Sequence, residues 1–188
     1  METTLSNLQI EVLASFIGEE FELIGGESLP EFLMSSSISV FTKNRSVKIF
    51  GKVVDGDFEG FDNEYSIFGV SENTPKVIED ILASGNTYNN CQGQTIQDVH
   101  IVREMITEFT GQSSTWSLIS DVAIVFELTD SAIVISFLSH NTEALRATFA
   151  ESVNLESVPA TGNDFDDDLQ NSYEFKRQIF SISEKELR

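Results

Sequence analysis

The stretch DVAIVFELTDSAIVISFL, Asp121–Leu138, decides the fold. Two runs rich in β-branched residues, Asp121–Leu128 and Ala132–Leu138, flank the polar triplet Thr129-Asp130-Ser131, which is the pattern of a β-hairpin. Val122-Ala123-Ile124-Val125-Phe126 is apolar without a break, so both faces of that strand need cover. The pair therefore belongs in the middle of a sheet.

Upstream, Ile96–Phe109 fits two periods. Ile96, Val99, Arg103 and Ile106 recur at helical spacing, whereas Val99, Ile101, Arg103, Met105, Thr107 and Phe109 alternate; the β-branched run favours a strand. Downstream, Asn141 or Thr142 is placed to cap a short helix running to Phe149, Gly162–Ser172 is an Asp-dominated loop, and Tyr173–Ile182 alternates as a closing strand.

The first half mixes both periods. Leu5, Leu8, Val12, Leu13, Phe16 and Ile17 predict a helix over 5–17, with Thr4 or Ser6 as N-cap and Gly18 as its stop. Glu20–Leu23 alternates toward Gly25-Gly26, and Ser28–Glu31 reads as a turn. Ile38–Phe41 and Val47–Phe50 are strands joined by Lys43-Asn44-Arg45. The second sets Val47, Ile49, Gly51 and Val53 on one face, and Lys48, Phe50, Lys52 and Val54 on the other. Asp55-Gly56-Asp57 has the composition of a turn before a strand at Tyr65–Val70. Thr74, Pro75 and Gly85 bracket a helix with Val77, Ile78, Ile81 and Leu82 on one stripe. The polar stretch 86–94 is the only segment that resembles a domain boundary, and a weak one. The pattern predicts a single α+β domain over 1–188, mainly antiparallel β-hairpins with two or three short helices.

Charge narrows the function. Thirty-one acids face eleven bases, a formal net charge of −20, with acid-only blocks at Met1–Thr42 and Glu151–Ser172 and a basic island at Lys43, Arg45, Lys48 and Lys52. Such a surface repels nucleic acid and anionic lipid and attracts cations, so no direct nucleic-acid or membrane partner is expected. One cysteine excludes an internal disulfide framework, and the start of the chain lacks a basic, cleavable leader; both fit a cytoplasmic location.

Two clusters are candidate partner-binding residues. Asp55, Asp57, Phe58, Glu59, Phe61, Asp62 and Glu64 interleave carboxylates with aromatics, and Asp164, Asp166, Asp167 and Asp168 form the densest acidic run. The Asp164–Asp168 run does not match a calcium loop, which alternates oxygen ligands around a glycine and closes on a glutamate. Cys91 and His100 lack the surroundings of a nucleophile–base pair, His140 reads as a cap at a strand end, and Trp116 as core packing. Two histidines and one cysteine are too few for a structural zinc site. No phosphate-binding glycine loop is present, because Gly25-Gly26 has no following Lys-Ser/Thr.

No catalytic residue, metal or cofactor is therefore assigned. The expected function is that of a non-enzymatic acidic binding protein, its surplus carboxylates lying outward. An intracellular inhibitor, an immunity protein or antitoxin, of a basic and nucleolytic partner fits best, since proteins that act on nucleic acid present Lys and Arg to phosphate. The alternative is a small hydrolase or ligand-binding domain with a divalent-cation site built from the clustered carboxylates.

Overall fold

The computed structural model describes residues 1–30, 32–58, 61–158 and 171–183. The chain opens with β1 (Glu2–Thr3) and α1 (Asn7–Ala14). Ser6 starts the helix as a capping box: its hydroxyl accepts from the Gln9 N–H while the Gln9 side chain accepts from the Ser6 N–H. α1 is shorter than the 5–17 expected, because the chain leaves as a turn at Ser15 and Gly18 takes a φ of +88°. Next come β2 (Phe21–Gly26), β3 (Met34–Ser35), β4 (Ser37–Thr42), β5 (Ser46–Phe58) and β6 (Phe61–Glu72). α2 (Pro75–Ser84) has the expected ends, with Thr74 at the N-cap, Pro75 in the first turn and Gly85 left-handed at φ +72°. β7 (Thr87–Tyr88), β8 (Ile96–Thr110), β9 (Ser113–Leu128), β10 (Ala132–Phe137), β11 (Leu145–Ala150) and β12 (Asn171–Ser181) are the further strands among the described residues.

These strands make two sheets, almost wholly antiparallel. The larger runs β12-β8-β9-β10-β11-β3, and the smaller β6-β5-β4-β2-β7. β9 is long enough to serve three partners. β8 lines one edge, while β10 takes Ala123–Glu127 on the other and β1 runs parallel beside Ile119 and Ser120.

The two sheets share one apolar core. Ile24, Ile38, Val40 and Ile49 of the smaller sheet join Ile101, Ile124, Phe126 and Ile135 of the larger in a cluster closed by Leu13 and Phe16. Each such side chain contributes roughly 1.5–3 kcal/mol on full burial. On the reverse face of the larger sheet, Val102, Ala123, Val125 and Val134 are covered by Val158 and Val153. The uninterrupted apolar run of Val122–Phe126 thus has cover on both sides, as its composition requires.

Two expectations need correction. The segment expected to form a helix to Phe149 is β11: its alternation buries Leu145 and Ala147 against the open edge of β10, and that pairing overrides the helical propensity of Glu143-Ala144-Leu145. Asp55-Gly56-Asp57 is no turn but lies inside β5, opposite Asp62–Glu64. β7 pairs with β2, Phe21 donates to the Gln94 carbonyl at 2.8 Å, and Cys91 is buried in the shared core. Ile96–Thr110, undecided between two periods, is strand throughout.

Candidate functional site

The β5–β6 ribbon outgrows its sheet. β4 pairs with β5 up to Phe50, so among the described residues the ladder partner of Gly51–Phe58 is β6. One face of the ribbon is anchored here: Val54 and Tyr65 pack on Ile106, Leu118 and Trp116 of β8 and β9, with the Tyr65 and Trp116 rings stacked at 6.2 Å. Trp116 is thus half-buried packing, in line with expectation. Because that face is anchored inward, the opposite one is turned out, and Asp55 and Glu64 are exposed on it. The same face carries Val47 and Ile49 at the base of the ribbon, where it lines the core.

The ladder register aligns these acids as like pairs. Asp55 stands opposite Glu64, Asp57 opposite Asp62 and Phe58 opposite Phe61. Like charges directly opposite across a ladder are destabilising unless a cation meets them. Glu59, Asp164, Asp166, Asp167 and Asp168 lie outside the described residues. Beside the ribbon is an open cleft of about 610 Å³, lined by Phe50, Val54 and Ile67 with Lys52, Asp55 and Glu2. Lys48 and Lys52 share a face, as the alternation predicts, and flank the Phe50 ring at 5.6 and 5.2 Å. Arg45 is committed elsewhere, bonded to Glu72 and Ser15 with its guanidinium 4.3 Å above the Phe16 ring.

Not every carboxylate lies outward, which corrects the expectation. Asp98, Glu104, Glu108 and Asp121 are buried. Glu104 takes both Nε and Nη2 of Arg177, at 3.0 and 2.7 Å, and meets His140 Nε2 at 3.0 Å. His140 is therefore no strand-end cap but a buried partner of β8. Glu108 accepts from Thr115 at 2.6 Å and Tyr173 at 3.0 Å. Asp121 accepts from Arg103 through Nε at 2.7 Å and Nη2 at 3.1 Å, and from the Leu5 N–H at 2.7 Å. That hydrogen bond to Asp121 raises the Arg103 pKa above its usual value; burial opposes the shift, and the charges of Asp121 and Glu2 add to it.

Asp98 sits where β8 bulges, since the ladder skips Gln97 between Ile96 and Asp98. Burial by itself would raise its pKa. The hydroxyls of Ser181 and Ser183 and the N–H groups of Val99 and Ser183 outweigh that and hold it below the ordinary carboxylate value. Its neighbour His100 shares a hydrogen bond of 2.8 Å with Glu127. Cys91, considered with His100 as a pair, instead accepts from Ser131 at 3.2 Å. The convergence of Asp98, His100 and Glu127 was missed in the sequence. Asp98 and His100 are two apart on a strand, a same-face spacing, but Glu127 joins them only once the bulged register of β8 on β9 is known.

The fold and its surfaces define an acidic, two-sheet β protein with a ribbon on which acid stands opposite acid, Asp55 and Glu64 exposed. Comparison brings no relative to it: no family model, no curated protein and no solved structure matches the chain. Among the described residues no helix is long and apolar enough to cross a membrane.

Proposed function

We propose that this is a non-enzymatic binding protein whose β5–β6 ribbon receives a cationic protein, and that it acts as an intracellular inhibitor of a basic, nucleic-acid-directed partner in the manner of an immunity protein or antitoxin. One observation carries the reading. The ribbon register sets acid opposite acid at Asp55–Glu64 and Asp57–Asp62, a row of carboxylates to which a row of Lys or Arg side chains is complementary. Asp55 also lines the adjoining cleft, where Phe50 and Ile67, which share the ribbon's other face with Lys52, offer the uncharged contact that a specific interface needs beside a charged rim. The net charge of −20 adds long-range steering of a basic partner.

The test compares two variants of equal charge change, Asp55→Lys/Glu64→Lys on the ribbon and Glu79→Lys/Asp80→Lys on α2. An immobilised oligo-arginine peptide is the probe, at low and at high ionic strength. The ribbon variant is expected to bind roughly tenfold more slowly or worse, the helix variant to stay near wild type, and both differences to shrink in high salt. Equal losses in the two variants would mean a diffuse field and no site. Capture from the source cell at low salt, read by mass spectrometry, should yield one strongly basic protein. Recovery of neutral or acidic proteins alone would refute the inhibitor role.

A further inference from the structure

We propose that Asp98, His100 and Glu127 form a binding site for a divalent first-row transition ion, defined by Zn²⁺ as probe. The three side chains each bring one ligand atom into a group whose members all lie within 4.8 Å of one another. His100 Nε2 is 2.8 Å from Glu127 Oε2 and 4.0 Å from Asp98 Oδ2. A tetrahedral ion with bonds of about 2.0–2.2 Å sets its ligand atoms about 3.3–3.6 Å apart, so the two edges bracket the required spacing. The third edge, Asp98 to Glu127, lies within 4.8 Å.

Placement supports the same conclusion independently. The bulge at Gln97 brings Asp98 directly opposite Glu127 across the β8–β9 ladder, two carboxylates in register at a half-covered position. Bulges re-aim side chains in this way next to functional sites, and an opposed acid pair calls for a cation between its members. The donors around Asp98 form an outer shell of the kind that orients a ligating carboxylate: Ser181 and Ser183 donate to Oδ2, Val99 N–H to Oδ1.

Ligand chemistry selects the ion. One imidazole with two carboxylates and no thiolate suits the borderline divalent ions, whereas Ca²⁺ and Mg²⁺ take all-oxygen sets. The Glu127 side chain is 42% exposed against 14% for His100 and 12% for Asp98, so the site opens to solvent on the Glu127 side. Three protein ligands leave a fourth position for water there.

The test is calorimetric titration of the full-length chain, stripped with chelator and desalted, with ZnCl₂, and a parallel titration with CaCl₂. One saturable Zn²⁺ site for each chain is expected, with Co²⁺ giving the visible absorption of a low-coordinate complex. Glu127→Gln and His100→Ala should each weaken Zn²⁺ binding by about 100-fold or more, and Ser181→Ala by about tenfold. Glu127 is half-exposed, so its amide variant keeps the test valid should His100→Ala fail to fold. Asp55→Asn/Glu64→Gln should leave Zn²⁺ binding unchanged. Absence of saturable binding overturns the proposal, and so does Zn²⁺ binding that survives Glu127→Gln or that is lost with the ribbon variant.

Discussion

Replacing Asp121 by asparagine tests whether the buried carboxylates hold the larger sheet together. Asp121 is fully buried at the point where β9 bulges against β8, the ladder passing from Ala123 to Asp121. Both of its oxygens are committed, to the Arg103 guanidinium at 2.7 and 3.1 Å and to the Leu5 N–H at 2.7 Å. The amide removes the charge and turns an N–H₂ toward one of these donors, leaving a donor facing a donor. Breaking a buried ion pair from one side costs about 3–5 kcal/mol. The Arg103 side chain is 24% exposed, so water can re-solvate part of it and the lower half of that range applies. For a chain of this size each kcal/mol shifts Tm by about 2–4 °C, which predicts a fall of about 6–16 °C. Thermal and urea unfolding followed by circular dichroism measure it. Hydrogen exchange should show faster opening around Leu5, since β1 and the start of α1 lean on β9 through this bond. An Asp121→Asn protein within about 1 kcal/mol of wild type, with unchanged exchange at Leu5, would refute the reasoning.

Other consequences follow from the same contacts. The Asp98 pKa is held below its unfolded value, so its stabilisation is complete above about pH 4 and is lost as pH falls through the lower folded pKa. In chelator, with His100 and Glu127 beside it, acid unfolding of Asp98→Asn should lack that part of the pH dependence; a profile superimposable on wild type would contradict it. Gly51→Ala should cost about 1–3 kcal/mol in urea unfolding, because a Cβ there would run into the Glu143 backbone; an unchanged midpoint would show that the 139–143 segment yields freely. Leu82→Glu on α2 should move stability by no more than about 0.5 kcal/mol, since Leu82 is 48% exposed; a loss above about 2 kcal/mol would mean that the α2 stripe is core.

What could be read from the sequence was what local chemistry decides. The Asp121–Leu138 hairpin and the Thr74–Pro75–Gly85 bracket depend on neighbouring residues and stand, and of the two N-caps offered for the first helix, Thr4 or Ser6, the second is the one used. Errors arose where a distant partner decided. Glu143–Phe149 has helical composition, but the free edge of β10 made it a strand. Asp55-Gly56-Asp57 has turn composition, yet β6 extends far enough to pair with it, and Gly56 admits Met1 against its bare Cα. The amphipathic stripe of α2 was legible but its burial was not: none of its residues is buried. Site residues divided in the same way. The ribbon acids were visible as a cluster, whereas Glu104–His140–Arg177 and Asp98–His100–Glu127 span 73 and 29 positions of sequence and exist only once the ladders are in register.

The claim that the ribbon is the contact surface is tested most directly by mapping where a cationic ligand lands. Backbone amide NMR spectra of the full-length protein, titrated with an oligo-arginine peptide, should move first and most at positions 52–67 and in the adjoining cleft, around Phe50 and Ile67. Shifts spread evenly over the exposed acids, or concentrated on α2 while Asp55 and Glu64 stay still, would contradict it.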